Sequence, residues 1–293
     1  MLKNVKSKFI LAVSLLLLTG CVNQSQSASA EQRIVATSVT VTEILDALEV
    51  DASQVVGVPS SDSYTIPERY QNIETTGTAM SPDMEIVTRL APTLILTPNS
   101  LEGDLAETYE KAGFESAFLN LKSVSGMYKS IEELGALLGK EDKAEELINA
   151  FVSYMQSYQS RHQDKTAPKV LILMGLPGSY VVATSSSYAG NLVELAGGEN
   201  VYGDGDGTDF LNVNPEDMLK QNPDIILRTS HAMPEQVKEM FATEFSENTI
   251  WSQFDAVKNK KVYDLSNEYF GMSANFNYQL GLEELEGILY GDD

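Results

Sequence analysis

Two stretches decide the fold: "EIVTRLAPTLIL", residues 85–96, and "EDMLKQNPDIIL", residues 216–227. They align without gaps. Each opens on Glu, runs as a short amphipathic helix, meets a proline seven residues after the Glu, and ends in four residues rich in Ile and Leu. The proline stops the helix and opens a strand. One helix–Pro–strand unit in each half of the chain predicts two similar lobes.

Working outward, the same alternation recurs. "RIVATS", "QVVGVP", "PTLILT", "PKVLILMG", "YVVAT" and "PDIILR" read as strands. "VTEILDALEV", "DMEIVTRL", "GNLVELAGG", "PEDMLKQN" and "PEQVKEMFATEF" read as helices. Strands alternating with helices predict an α/β fold with largely parallel central sheets. Between the halves, "EDKAEELINAFVSYMQSYQSRHQ" places Ala144, Leu147, Ile148, Phe151, Val152 and Met155 on one face, which predicts a single connecting helix about 35 Å long. Met155 reads as core packing, and His162, in the polar end, as a solvated helix-end residue. The expected organisation is a signal segment over 1–20, a tether over 21–32, a first lobe over 33–122, a helical region over 123–168 and a second lobe over 169–293. The ligand cleft would lie between the lobes.

The chain has 293 residues, 43% of them hydrophobic, enough for a substantial core. Its 42 acids against 20 bases argue against binding nucleic acid through phosphates. "MLKNVKSK" followed by "FILAVSLLLL" reads as a signal peptide, too short to span a bilayer. "LTGC" then resembles a bacterial lipobox, which implies cleavage before Cys21 and a lipid on its sulfur. Cys21 is the only cysteine, so it has no disulfide partner. "VNQSQSASAE" reads as a flexible tether.

There are two histidines. His231 follows the strand "PDIIL" and precedes a helix opened by Pro234, in the position where ligands bind open α/β sheets. The adjacent helix start favours a neutral imidazole. Met80 precedes the Glu85 helix, for which Ser81 reads as N-cap with Pro82 and Asp83 in the first turn. If the lobes face each other, Met80 and His231 approach from opposite sides, and a thioether with an imidazole suits copper or haem iron. "YGDGDGTDF" fails the EF-hand pattern at Asp209 and Pro215 and reads as a connecting loop. No Walker A or G-x-S-x-G motif occurs.

The lipobox, the paired lobes, the long helix, and the stretches "MSPDME", "KVLILMGLPGSYVVAT", "LAGGENV", "NPDIILR", "HAMPE" and "VYDL" resemble the metal-chelate substrate-binding lipoproteins. These serve ABC importers of siderophores, cobalamin and haem and have a single long connecting helix. The likeness is strongest to the haem-binding branch found in the iron-regulated surface determinant system of Gram-positive bacteria. The resemblance implies haem b (iron protoporphyrin IX) as cargo, with Met80 and His231 as axial ligands. It implies docking of Glu85 and Glu216 on permease arginines, and haem delivered by upstream surface relay proteins. It implies a monomeric receptor, not an enzyme, anchored through Cys21 at the outer membrane face. Ser60, Ser61, Ser63 and Tyr64 are candidates to reach the cargo. Gly178, Tyr180, Tyr188 and Phe270 are expected walls, Met233 packs or shields one face, and backbone amides around Thr40, Val41 and Thr42 would receive propionates. The alternatives are a receptor for a ferric siderophore or cobalamin, a haem- or metal-dependent enzyme, and a surface adhesin.

Overall fold

The computed structural model describes residues 32–61, 64–203 and 205–291. The signal segment, Cys21, the tether to residue 31, and Ser63 lie outside the described residues.

The chain first lays down β1 (Ile34–Ala36), all three residues buried. Ser38 then caps α1 (Val39–Ala47) by accepting from the Val41 amide, and Val41, Ile44 and Leu45 turn inward. After β2 (Val55–Gly57) come β3 (Gly77–Thr78) and β4 (Ser81–Pro82), antiparallel and joined by a two-residue turn of Ala79 and Met80. Next follow α2 (Met84–Leu90), β5 (Leu94–Pro98), α3 (Glu102–Ala112) and β6 (Ser116–Leu119). The first sheet runs β2-β1-β5-β6 and is parallel throughout.

Two helices, α4 (Val124–Leu138) and α5 (Glu141–His162), lead to the second sheet. It is built from β7 (Lys169–Leu176), β8 (Ser179–Ala183), β9 (Glu199–Asn200), β10 (Phe210–Leu211), β11 (Ile225–Ser230) and β12 (Val262–Asp264). The strand order is β10-β8-β7-β11-β12, with β9 beside the start of β7. Pairing of β7, β11 and β12 is parallel; β8 and β10 are antiparallel additions at one side. The helices of this half are α6 (Tyr188–Leu195), α7 (Pro215–Gln221), α8 (Pro234–Glu247), the short α9 (Asp255–Lys258) and α10 (Tyr278–Tyr290). The α/β reading of the sequence therefore holds.

The two quoted repeats fold alike. α2 and α7 each have seven residues, each is capped by an Asx side chain (Asp83, Asn214), and each ends on a left-handed residue (Ala91, φ 46°; Asn222, φ 49°). The proline that follows, Pro92 or Pro223, stands two residues before β5 in one case and β11 in the other. One detail of the sequence reading is corrected: Asp83, not Ser81, is the N-cap of α2, accepting from the Glu85 and Ile86 amides. Ser81 and Pro82 are spent in the β3–β4 hairpin, so they cannot serve the helix.

The connecting helix α5 has 22 residues, a length of about 33 Å. Lys143 in its first turn pairs with Glu49 beyond α1 at 3.2 Å, and Arg161 in its last turn pairs with Glu286 of α10 at 3.0 Å. Tyr128, Phe151, Tyr154 and Tyr278 form an aromatic cluster between α4, α5 and α10. Met155 is buried in the core as expected. His162 is not the solvated residue the sequence suggested. Its ring meets the Tyr158 carbonyl and a Glu286 carboxylate oxygen, both at 2.9 Å, and stacks on Tyr290. The polar sequence around it hid the fact that α10 returns to cover it.

Candidate functional site

Parallel strands deliver their following loops to one edge of a sheet, and both sheets aim that edge at the same place. Ser38, Val39, Thr40 and Glu43 follow β1; Pro59, Ser60, Ser61 and Tyr64 follow β2; His231 follows β11; Glu268 and the segment up to Asn277 follow β12. Together with Ala79 at the tip of the β3–β4 hairpin, these residues line one open cavity of about 260 Å³. A cavity beyond the carboxyl ends of parallel strands is where α/β proteins bind ligands.

Local bonding fixes each wall. The His231 amide donates to the Gly175 carbonyl at 3.0 Å, tying the residue after β11 to the end of β7. Just before it, Ser230 Oγ donates to Asn267 Oδ1 at 2.7 Å and Thr229 Oγ1 to the Phe270 carbonyl at 2.9 Å. These two bonds hold the 267–271 loop against β11. Beneath them, Arg228 makes a bidentate pair with Asp264 at 2.7 and 2.6 Å, clamping β11 to β12. On the opposite wall, the Ser60 amide donates to the Gly77 carbonyl at 2.8 Å, joining the 59–61 loop to the hairpin. Gly77 has φ 90°, and a Cβ there would press on the Ser81 carbonyl oxygen, so the turn that presents Ala79 and Met80 requires glycine. Tyr64 crosses between the walls, its hydroxyl donating to the Asn267 carbonyl at 3.4 Å.

The residues proposed from the sequence divide into three groups. His231, Ser60, Ser61, Tyr64 and Thr40 line the cavity. Met80 and Met233 stand beside it, next to the lining residue Ala79 and two residues after His231 respectively, and their side chains are 68% and 51% exposed. The rest lie elsewhere. Tyr188 and Phe270 are fully buried in the core. Gly178 and Tyr180 border a separate groove with Gln236 and Met240 of α8, and Tyr180 donates to Glu244. Gly178 lies in the β7–β8 turn as a loop residue, but Tyr180, expected in a loop, lies within β8; because β8 is antiparallel to β7, both are carried to a groove with α8. The amide reading around α1 also changes: the Val41 amide is taken by Ser38 Oγ and the Thr42 amide by the Ser38 carbonyl. Thr42 is buried as well, so of that trio only Thr40 faces the cavity.

Sequence reasoning missed Glu43, Glu268 and Met272. The last two lie in "NEYFGMSANFN", whose Gly, Ser and Asn content marks a loop after a strand. Glu43 gave no signal, because a Glu in the first half of an amphipathic helix looks like an ordinary solvated acid. Electrostatically the cavity is unusual: among its described lining residues there is no lysine or arginine, and its acids are Glu43 and Glu268. Burial pushes the Glu43 carboxyl up to about 7. Burial, then the charges of Glu268 and Glu43, also raise the Tyr64 phenol.

Two α/β lobes, one long linking helix and a cavity between facing strand ends define a two-lobed ligand-binding protein. The chain belongs to the periplasmic binding protein family, whose model matches residues 34–269. It is 40% identical over 292 residues to the high-affinity heme uptake system protein IsdE of Staphylococcus aureus strain Newman, covering 98% of each chain. Among solved structures, an ABC transporter substrate-binding protein from Listeria monocytogenes EGD-e matches with TM-score 0.84 and 44% identity, over 89% of this chain and all of that one. S. aureus IsdE complexed with heme matches with TM-score 0.82 and 41% identity, over 89% of this chain and 99% of that one.

Proposed function

We propose that this protein is a haem receptor of an ABC importer, held at the outer membrane face by a lipid on Cys21. The observation that carries the reading is the placement of His231 on the wall built by β11, in a cavity whose other wall ends in the Ala79–Met80 turn. The likeness to IsdE, solved with heme, supports it. Haem is a flat apolar disc with two carboxylates. A cavity of about 260 Å³ is small for such a ligand, so the disc would fill it and extend to the rim where Met80 stands exposed. Met80 and His231 would take the two axial positions. That leaves no open coordination site, which suits a carrier and not a catalyst. Exposed Glu85 and Glu216, in the first turns of α2 and α7, would dock on the permease. The basic residues of the same helices are engaged elsewhere, Arg89 with Glu74 and Lys220 with Asp217. Delivery by upstream relay proteins and a monomeric state belong to the same reading.

The test is spectroscopic. Haemin added to the purified protein should give a six-coordinate low-spin spectrum, and Met80→Ala and His231→Ala should each lose it. Binding that survives His231→Ala unchanged rules out the axial assignment. Capture of a ferric siderophore or cobalamin with no haem spectrum replaces the cargo.

A further inference from the structure

The cavity has two carboxyl groups in different surroundings. Glu268 is exposed at the rim, whereas Glu43 is half-buried against the inner wall where α1 leaves β1. Among the described lining residues, the charged or titratable ones are Glu43, Glu268, Tyr64 and His231. The other charges on or against α1 face one another: Asp46 pairs with Arg69, and Glu49 with Lys143. Lys140 donates to the Glu49 carbonyl. Among the described residues no side chain hydrogen-bonds or pairs with the Glu43 carboxyl, which lines the cavity where a ligand would meet it.

We propose that Glu43, as the neutral carboxylic acid, is the positioning residue that donates a hydrogen bond to a carboxylate of the cargo, so that cargo binding takes up a proton. This rests on the haem reading, since haem carries two carboxylates and the described lining has no cation to receive them. A carboxylic acid facing a carboxylate makes a short, strong hydrogen bond. The same pair with both groups ionised repels. Burial supports the neutral form, holding the Glu43 carboxyl near about 7 in the free protein; a bound carboxylate raises it further. The sign follows. Affinity is greatest below about pH 7, where the acid is already protonated, and falls as pH rises above it. The fall approaches about tenfold per pH unit until the pKa of the complex is passed.

The experiment is haem titration of the purified protein from pH 6 to about 9, followed by absorbance. Wild type should lose affinity with rising pH. Glu43→Gln keeps a neutral donor and should bind with an almost flat profile. Glu43→Ala, which removes the donor, should bind more weakly at low pH and also lose the slope. Haem dimethyl ester, without carboxylates, should show no Glu43-dependent slope. A wild-type slope retained by Glu43→Gln overturns the proposal, as does a slope abolished by Glu268→Gln instead. Absence of haem binding by the wild-type protein overturns the haem reading itself, and this inference with it.

Discussion

At the residue scale, the informative group is a carboxyl that no motif marks. Glu43 sits near about 7 because burial removes solvent from its ionised form. Its effect on stability has a definite sign. Between the ordinary glutamate value of 4.5 and about 7, the folded protein binds more protons at this site than the unfolded chain. The stabilising contribution is therefore complete below 4.5 and is lost as pH rises to about 7. Since one side of Glu43 faces the open cavity, the effect is roughly 1–2 kcal/mol. Glu43→Gln should melt about 2 to 6 °C above wild type at pH 8, with the gap closing toward pH 5. Equal melting temperatures at pH 8 would mean that Glu43 is fully solvated. His231, by contrast, is marked as a candidate by its position just past an apolar strand and just before Pro234, and it is the partner Met80 and the family resemblance that single it out. Phe270 was read as a wall and is core, because only the packing of the 267–271 loop onto β11 decides which way an aromatic ring turns.

At the scale of elements, the duplicated helix–Pro–strand unit was the most readable feature, since proline and Asx caps act within a few residues. The unit also carries an asymmetry. α7 ends on Asn222, a residue tolerant of left-handed backbone, but α2 ends on Ala91 at φ 46°. Ala91→Gly should relieve that strain, offset in part by glycine's greater freedom in the unfolded chain. The expected gain is about 0.5–1 kcal/mol, read as a rise of about 1 to 4 °C in melting temperature. Asn222→Ala should move the other way. A fall on Ala91→Gly would show that the Cβ makes compensating contacts. The start of α2 was harder to read. Ser81, Pro82 and Asp83 are all good helix-opening residues, and a two-residue hairpin pairing Ser81 with Thr78 settles which of them caps. The sequence places α4 only within a general helical region, and its boundary at Gly139, φ 66°, shows only once α5 folds back against it.

At the scale of the molecule, the repeat bears on the proposed docking role. Glu85 and Glu216 occupy equivalent first-turn positions in the two halves, both exposed. Charge reversal at both should abolish haem import by cells while leaving the affinity of the purified protein unchanged. Lost affinity in the purified double variant would assign these acids to the cavity instead. The connecting helix is held at both ends, by Lys143 to Glu49 and by Arg161 and His162 to Glu286. Burial works against ionising Glu286, but hydrogen bonds from Arg161 and His162 outweigh it and hold its carboxyl below the ordinary range. The ties to Glu286 cross more than a hundred residues of sequence, which is why the sequence alone presents His162 as solvated.

By itself the sequence determined the alternation of strands and helices, the doubled unit, the long helix and the loop that carries His231. Each of these rests on interactions between residues a few positions apart: apolar periodicity, proline geometry and helix capping. The tertiary structure alone decided that the strand ends of both sheets share one cavity, that Met80 rides a hairpin, that Tyr188 and Phe270 belong to the core, and that Glu43 is a half-buried acid on the cavity wall. Those outcomes depend on which distant segments pack together, and the desolvation that changes the chemistry of a side chain exists only after they have done so.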